Sequence, residues 1–249
     1  MIAKYLLIMG IGHVLGEFYF QTKKTKDEKK SRYVGVIKHS IEYFTVMLLM
    51  TIPVFSLDWM PAATVIAVVH YVVESLEFVI VRKKRKRHNE TVVIVGQMVH
   101  IAFIFIMAFV MTKCGADIRM ISPVTDVMTT LGISAVGAAK WILIILIIHT
   151  PTNLAIQSIL NGYRPAETDR GIITADNRAG RMIGTIERLI MVLFIALEQY
   201  AALGLVLTAK SIARYDKIAK EPKFAEYYLL GTLLSTMTVV LCKVTVLQI

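Results

Sequence analysis

Six residues in the first hundred combine metal-binding chemistry with regular spacing. His13 and Glu17 stand four apart in GHVLGEFYFQ, with Gln21 four further on, so a helix brings all three to one face. His70 and Glu74 repeat the spacing in VHYVVES, and Glu77 follows nearly one turn later. His39 precedes Glu42 in KHSIEY, and Gln97 precedes His100 in GQMVH. Imidazole and carboxylate four residues apart can chelate one ion. Nitrogen and oxygen donors without thiolate select zinc, manganese or iron as the divalent metal over copper(I). The expected ligands are His13, Glu17, His39, His70, Glu74 and His100. Gln21, Gln97 and Glu77 form the expected catalytic set, the glutamines orienting ligands or water. With open coordination positions, such a site makes a nucleophile from water at neutral pH.

These residues sit in apolar runs that must be helices. Hydrophobic residues make up 56% of the 249 positions, and the mean hydropathy of +0.62 exceeds that of an ordinary soluble domain. Runs at about 2–21, 36–57, 61–81, 91–112, 136–160, 180–198, 201–216 and 225–247 approach or reach the roughly 20 residues that cross the hydrocarbon. The reading is an all-α, polytopic transmembrane helix bundle of seven or eight helices in the plasma membrane. Region 1–112 forms a His/Glu four-helix bundle and 113–249 a C-terminal membrane bundle. Two copies of one hairpin pattern, HxxxE followed by a helix bearing His, suggest a tandem repeat in the N-terminal half. Facing pairs of this kind are comparable to the carboxylate and histidine sites of di-metal four-helix proteins. Ionisable groups in hydrocarbon cost several kcal/mol unless paired, ligated or hydrated. Interhelical hydrogen bonding is the simpler use of any one of them.

The net charge of +10 lies mainly in short segments between apolar runs, which fits juxtamembrane anchoring and excludes nucleic acid as the expected partner. The loop from Lys23 to Arg32 and the run RKKRKRH from Arg82 to His88 should be cytoplasmic, and the loop around Pro53 and Asp58 should face outward. Glu198, Gln199 and Tyr200 interrupt the run 180–216, which reads as a helical hairpin in preference to one long helix. His149, Pro151, Asn153 and Gln157 read as helix-kink or packing chemistry. Cys114 and Cys242 show neither a disulfide framework nor a thiolate metal site. Arg181, Glu187, Arg188, Lys210, Arg214 and Glu226 form a second polar cluster, whose cations suit a phosphate or anionic lipid headgroup. Mutual neutralisation and snorkelling compete with that role.

The segments GHVLGEFYFQ, KHSIEY, VHYVVES, GQMVH, GRMIGTIERL, AKSIARY and AEYYLLGTLLS together resemble an uncharacterised prokaryotic membrane family, domain of unknown function 3307 (DUF3307). The likeness touches most of the chain except roughly 113–175. The family's first helix usually reads HxxxDFxxQ, so Glu17 replaces an Asp, and Glu74 also stands where Asp is expected. The resemblance implies a shared architecture and supports the His, Glu and Gln positions as a unit; it supplies no reaction. The leading expectation is an intramembrane metal-dependent hydrolase acting on a phospholipid or polyprenyl-phosphate-like membrane lipid from the cytoplasmic side. The alternative is a cation or proton-coupled transporter using the same cluster. Bis-His haem ligation and a noncatalytic docking subunit stand behind these.

Overall fold

The computed structural model describes residues 2–50, 52, 59–83, 90–115, 121–163 and 173–248, and among these it is all helix and turn. The chain divides into two compact units, 1–143 and 144–249. The outward loop at Pro53 and Asp58, the basic run beyond Lys83 with His88, and the segment 164–172 lie outside the described residues.

The first unit opens with α1 (Ile2–Val14), which continues as a π-helical turn over Leu15–Tyr19. The basic stretch expected as a loop is helix α2 (Lys23–Ser31). Thr22 explains the start, because its hydroxyl accepts the backbone N–H of Thr25 at 3.1 Å. Lys29 and Lys30 in the last turn suit the negative end of the helix dipole. Next come α3 (Tyr33–Leu49), α4 (Trp59–Lys83), α5 (Glu90–Lys113) and α6 (Ser122–Thr130). Helix α1 packs on α3, α3 on α4 and α4 on α5, and α5 returns to α1, closing a ring of four. Its core holds Tyr5 and Met9, Tyr43 and Met47, Trp59, Ala63 and Ile66, and Ile104 and Ala108. The alanines of α4 let backbones approach, as membrane helices require where apolar burial gives no driving force. The opposite faces of α4 and α5 expose Val68, Val72, Leu76, Phe105 and Phe109, apolar side chains suited to lipid.

Helix α7 (Ala135–Leu160) runs from the first unit into the second. The second unit continues with α8 (Ile173–Ala196), α9 (Tyr200–Ile212), α10 (Tyr215–Lys220) and α11 (Pro222–Cys242). Between α8 and α9 the chain turns at Glu198, whose φ of 58° is left-handed. Lys210 Nζ on α9 reaches Glu187 Oε2 on α8 at 2.6 Å, so 180–216 is a hairpin. Pro151 has no N–H for the carbonyl of Ile147, and the Thr152 hydroxyl donates to that oxygen at 2.7 Å.

Four described helices are long and apolar enough to cross a membrane: Trp59–Lys83, Thr91–Lys113, Ala135–Tyr163 and Pro222–Leu247. This corrects the expected seven or eight. Helix α3 has 17 residues, about 25 Å at 1.5 Å per residue, short of roughly 30 Å of hydrocarbon. Helix α9 has 13 residues and is shorter still. Helix α1 needs its π turn to reach Tyr19, and α8 carries too many charged residues to qualify.

Candidate metal centre

The site begins with glycines in α1. A Cβ on Gly12 would meet Met47 Sδ at 2.8 Å, and one on Gly16 would meet Tyr43 Cδ2 at 2.8 Å. The pair forms a small-xxx-small face into which α3 settles. Tyr43, seated on Gly16, is buried and performs two tasks. Its ring stacks on His70, with centroids 3.7 Å apart and planes within 7°. Its hydroxyl lies 3.2 Å from His13 Nδ1. One turn past His13, the helix widens into the π turn, with Phe20 N–H donating to Leu15 O at 2.9 Å. Such turns recur at functional sites. This one carries Glu17.

Four donor atoms converge. His39 Nε2 lies 2.9 Å from Glu17 Oε2, 3.2 Å from His70 Nε2 and 3.9 Å from Glu74 Oε1, and His70 Nε2 lies 3.6 Å from Glu17 Oε2. Tetrahedral zinc with bonds of about 2.0–2.1 Å places neighbouring ligand atoms about 3.3 Å apart. The observed separations bracket that value. All four residues are buried, and their ligand atoms fall within 4.8 Å of one another. The Nδ1 atoms of His39 and His70 and both ring nitrogens of His100 are buried without a hydrogen-bond partner. Each unsatisfied group costs about 1–3 kcal/mol, and an ion on a ring nitrogen of His100 would satisfy that nitrogen directly. The donor set and its spacing fit a divalent ion.

A second set, His13, His70 and His100, also brings its ligand atoms within 4.8 Å of one another and shares His70. The two HxxxE pairs therefore do not behave alike. His70 and Glu74 belong to one set, whereas His13 and Glu17 belong to different sets, separated where the α-helix changes to the wider π turn. All six expected ligands are gathered in this unit.

Surrounding residues fix the carboxylates. Gln97 Nε2 donates to Glu17 Oε1 at 3.1 Å. Glu77 fills the notch left by Gly96, where a Cβ would fall 1.4 Å from Glu77 Oε1. The Oε1 of Glu77 and the Nε2 of Gln21 are buried without a hydrogen-bond partner. Lys29 Nζ reaches Glu74 Oε2 at 2.7 Å and Glu17 Oε1 at 3.7 Å. Burial alone would lower its ammonium; the facing carboxylates of Glu17 and Glu74 raise it above the ordinary lysine range. Helix α2 holds Lys29 in place because its backbone lies on Gly35, where a Cβ would come within 2.2 Å of Lys29 N. Thr25 adds a hydrogen bond to Glu42 Oε1 at 2.7 Å.

Sequence reasoning missed Tyr43 and Lys29. Tyr43 follows His39 by four residues and was detectable as a face-mate; Lys29 is one lysine among several in KKTKDEKKS. In the second unit, Arg188 is 2% exposed. Its Nε donates to Ile148 O at 2.7 Å, its Nη2 to Asn153 Oδ1 at 2.6 Å and its Nη1 to Ser235 Oγ at 3.2 Å. The guanidinium thus joins α7, α8 and α11 beside the Pro151 break. Arg181, Arg214 and Glu226 are exposed.

A family profile described as "Protein of unknown function (DUF3307)" matches residues 5–129, an interval that contains all six candidate ligands. The chain belongs to the DUF3307 family. No curated protein and no solved structure matches it. The DUF3307 match includes 113–129 and stops before GRMIGTIERL, AKSIARY and AEYYLLGTLLS, so the expected extent of the likeness is corrected at both places. Lys29, Tyr43 and Gln97 also fall inside the DUF3307 region, which therefore contains the candidate ligands and the residues that contact them.

Proposed function

We propose that this chain is an intramembrane metal-dependent hydrolase of the plasma membrane, acting from the cytoplasmic side on a phospholipid or polyprenyl-phosphate-like substrate. The observation that carries the reading is the convergence of Glu17 Oε2, His39 Nε2, His70 Nε2 and Glu74 Oε1 among apolar helices. Zinc, manganese or iron bound there would lower the pKa of a bound water and polarise a phosphoryl oxygen.

The chain's own residues supply the rest. Gln97 orients Glu17, Tyr43 fixes the rings of His13 and His70, and Lys29 balances two carboxylates. Glu77 Oε1, buried and without a hydrogen-bond partner, is the candidate acceptor for the proton of the attacking water. Gln21, with its buried Nε2, is the second candidate for water orientation. The other lysines of α2 offer attraction to an anionic headgroup. In the second unit, Lys210 already pairs with Glu187 and Arg188 is committed to helix acceptors, so neither cation is free for a headgroup.

The test uses tag-free full-length protein in detergent. Bound metal is measured, and phosphate release is followed from mixed micelles of phosphatidic acid and of a polyprenyl diphosphate. Copurifying zinc, manganese or iron, with turnover lost in His39→Ala and after chelation, is expected. A metal-free protein with full turnover overturns the reading. Flux of the ion into proteoliposomes without turnover, abolished by His70→Ala, establishes the transporter instead.

A further inference from the structure

We propose that the first unit binds two metal ions, not one, joined through the imidazole ring of His70. The proposal rests on the metal-centre reading above and extends it to a second site made of His13, His70 and His100. His70 is the member common to both ligand sets. Its Nε2 faces the first set, 3.2 Å from His39 Nε2 and 3.6 Å from Glu17 Oε2. Its Nδ1 is buried and has no hydrogen-bond partner. A histidine that ligates one ion ordinarily gives its other N–H to a carboxylate, carbonyl or water. Here that nitrogen is left for a second ion.

The other two members fit the same role. His100 is 4% exposed, and neither of its ring nitrogens has a hydrogen-bond partner. Its ring centroid lies 4.5 Å from that of His70 and 5.5 Å from that of His13. Tyr43 engages Nδ1 of His13 and Gln97 also hydrogen-bonds this ring, so an ion bound by His13 takes the place of one of these contacts, while Tyr43 stacking holds the His70 ring in one orientation. A small cavity lined by Tyr43, Ile66, His70, His100 and Phe103 has room for about one water. That cavity provides the fourth position a three-histidine ion keeps open in catalytic sites.

The two sites differ in chemistry. The first has two carboxylates and two imidazoles, which offset the charge of a dication. The second is all-nitrogen, its only negative charge being that of the His70 imidazolate it shares with the first, and suits zinc, cobalt(II), nickel or copper(II) over manganese or magnesium. Bridging requires His70 to give up its remaining ring proton, which passes to solvent, so loading the second site releases one proton beyond the first.

Tag-free full-length protein in detergent is stripped with chelator, loaded with cobalt(II), desalted and analysed for cobalt per chain and by electron paramagnetic resonance. Two ions per chain with exchange coupling are expected. His100→Ala should leave one ion and an uncoupled spectrum, and His100→Gln guards against a folding defect in the alanine variant. Glu74→Gln should weaken the first site and leave the all-nitrogen site filled. One ion in the wild-type chain, unchanged by either His100 substitution, overturns the second site while sparing the first. No bound ion overturns both.

Discussion

Replacing Lys29 with Met should destabilise the metal-stripped chain, and added metal should reverse most of the loss. Lys29 Nζ lies 2.7 Å from Glu74 Oε2 and 3.7 Å from Glu17 Oε1, with 22% of its side chain exposed. At an effective dielectric constant of about 20, the shorter contact alone is worth about 6 kcal/mol of Coulomb energy. Lysine ordering and the desolvation of both charges offset about half of that, leaving a cost of about 3 kcal/mol for removing the ammonium and stranding the carboxylates. In a chain of this size that corresponds to a fall in Tm of about 6–12 °C. A divalent ion at a hundred times its Kd restores about 2.7 kcal/mol, because it neutralises the same Glu17 and Glu74. Thermal unfolding in detergent, with chelator and with excess zinc, measures both quantities. Equal melting of Lys29→Met and wild type in chelator refutes the charge-balancing role. A deficit that zinc does not reduce refutes the placement of the ion at those carboxylates.

Gly16→Ala puts a Cβ 2.8 Å from Tyr43, so about 1–3 kcal/mol of stability and part of the metal content should be lost together, as read by melting and elemental analysis. Tyr43→Phe keeps the ring on His70 but removes the hydroxyl facing the buried His13 Nδ1; metal affinity should fall about 10- to 100-fold in competition titration, and the stripped chain should lose about 1–3 kcal/mol of stability. Arg188→Ala strands the buried acceptors Ile148 O and Asn153 Oδ1 and should cost about 2–5 kcal/mol in the second unit, while zinc content stays at the wild-type value. Arg188→Lys should recover only part, because an ammonium cannot reproduce the planar fork to α7 and α11.

The candidate ligands were legible because polarity inside an apolar run is conspicuous and the four-residue period of a helix assigns it a face. That logic reached His13, Glu17, His39, His70, Glu74 and His100 without long-range information. It did not reach the division between sets, since a π turn at Leu15–Tyr19 has no signature that hydropathy detects. Lys29 escaped for a different reason: composition gives every lysine of α2 the same meaning, and only the close seating of α2 on Gly35 turns one of them inward. The span count failed where length and charge contradict mean apolarity, in the 17 residues of α3 and the charged α8. Arg188 looked like a group waiting for an anion because sequence shows a charge and not its acceptors. Those acceptors come from α7 and α11, far along the chain.

The ring order of the four helices also sets a timetable for biogenesis. Glu17 and His39 belong to α1 and α3, so their 2.9 Å pairing can form as soon as α3 leaves the ribosome, with Lys29 supplied by the segment between them. The four-residue set is complete only after α4 delivers His70 and Glu74, and the three-histidine set waits for His100 on α5. A chain truncated after α4 would thus carry one finished cradle and one open side, and α5 is the step that seals the interior.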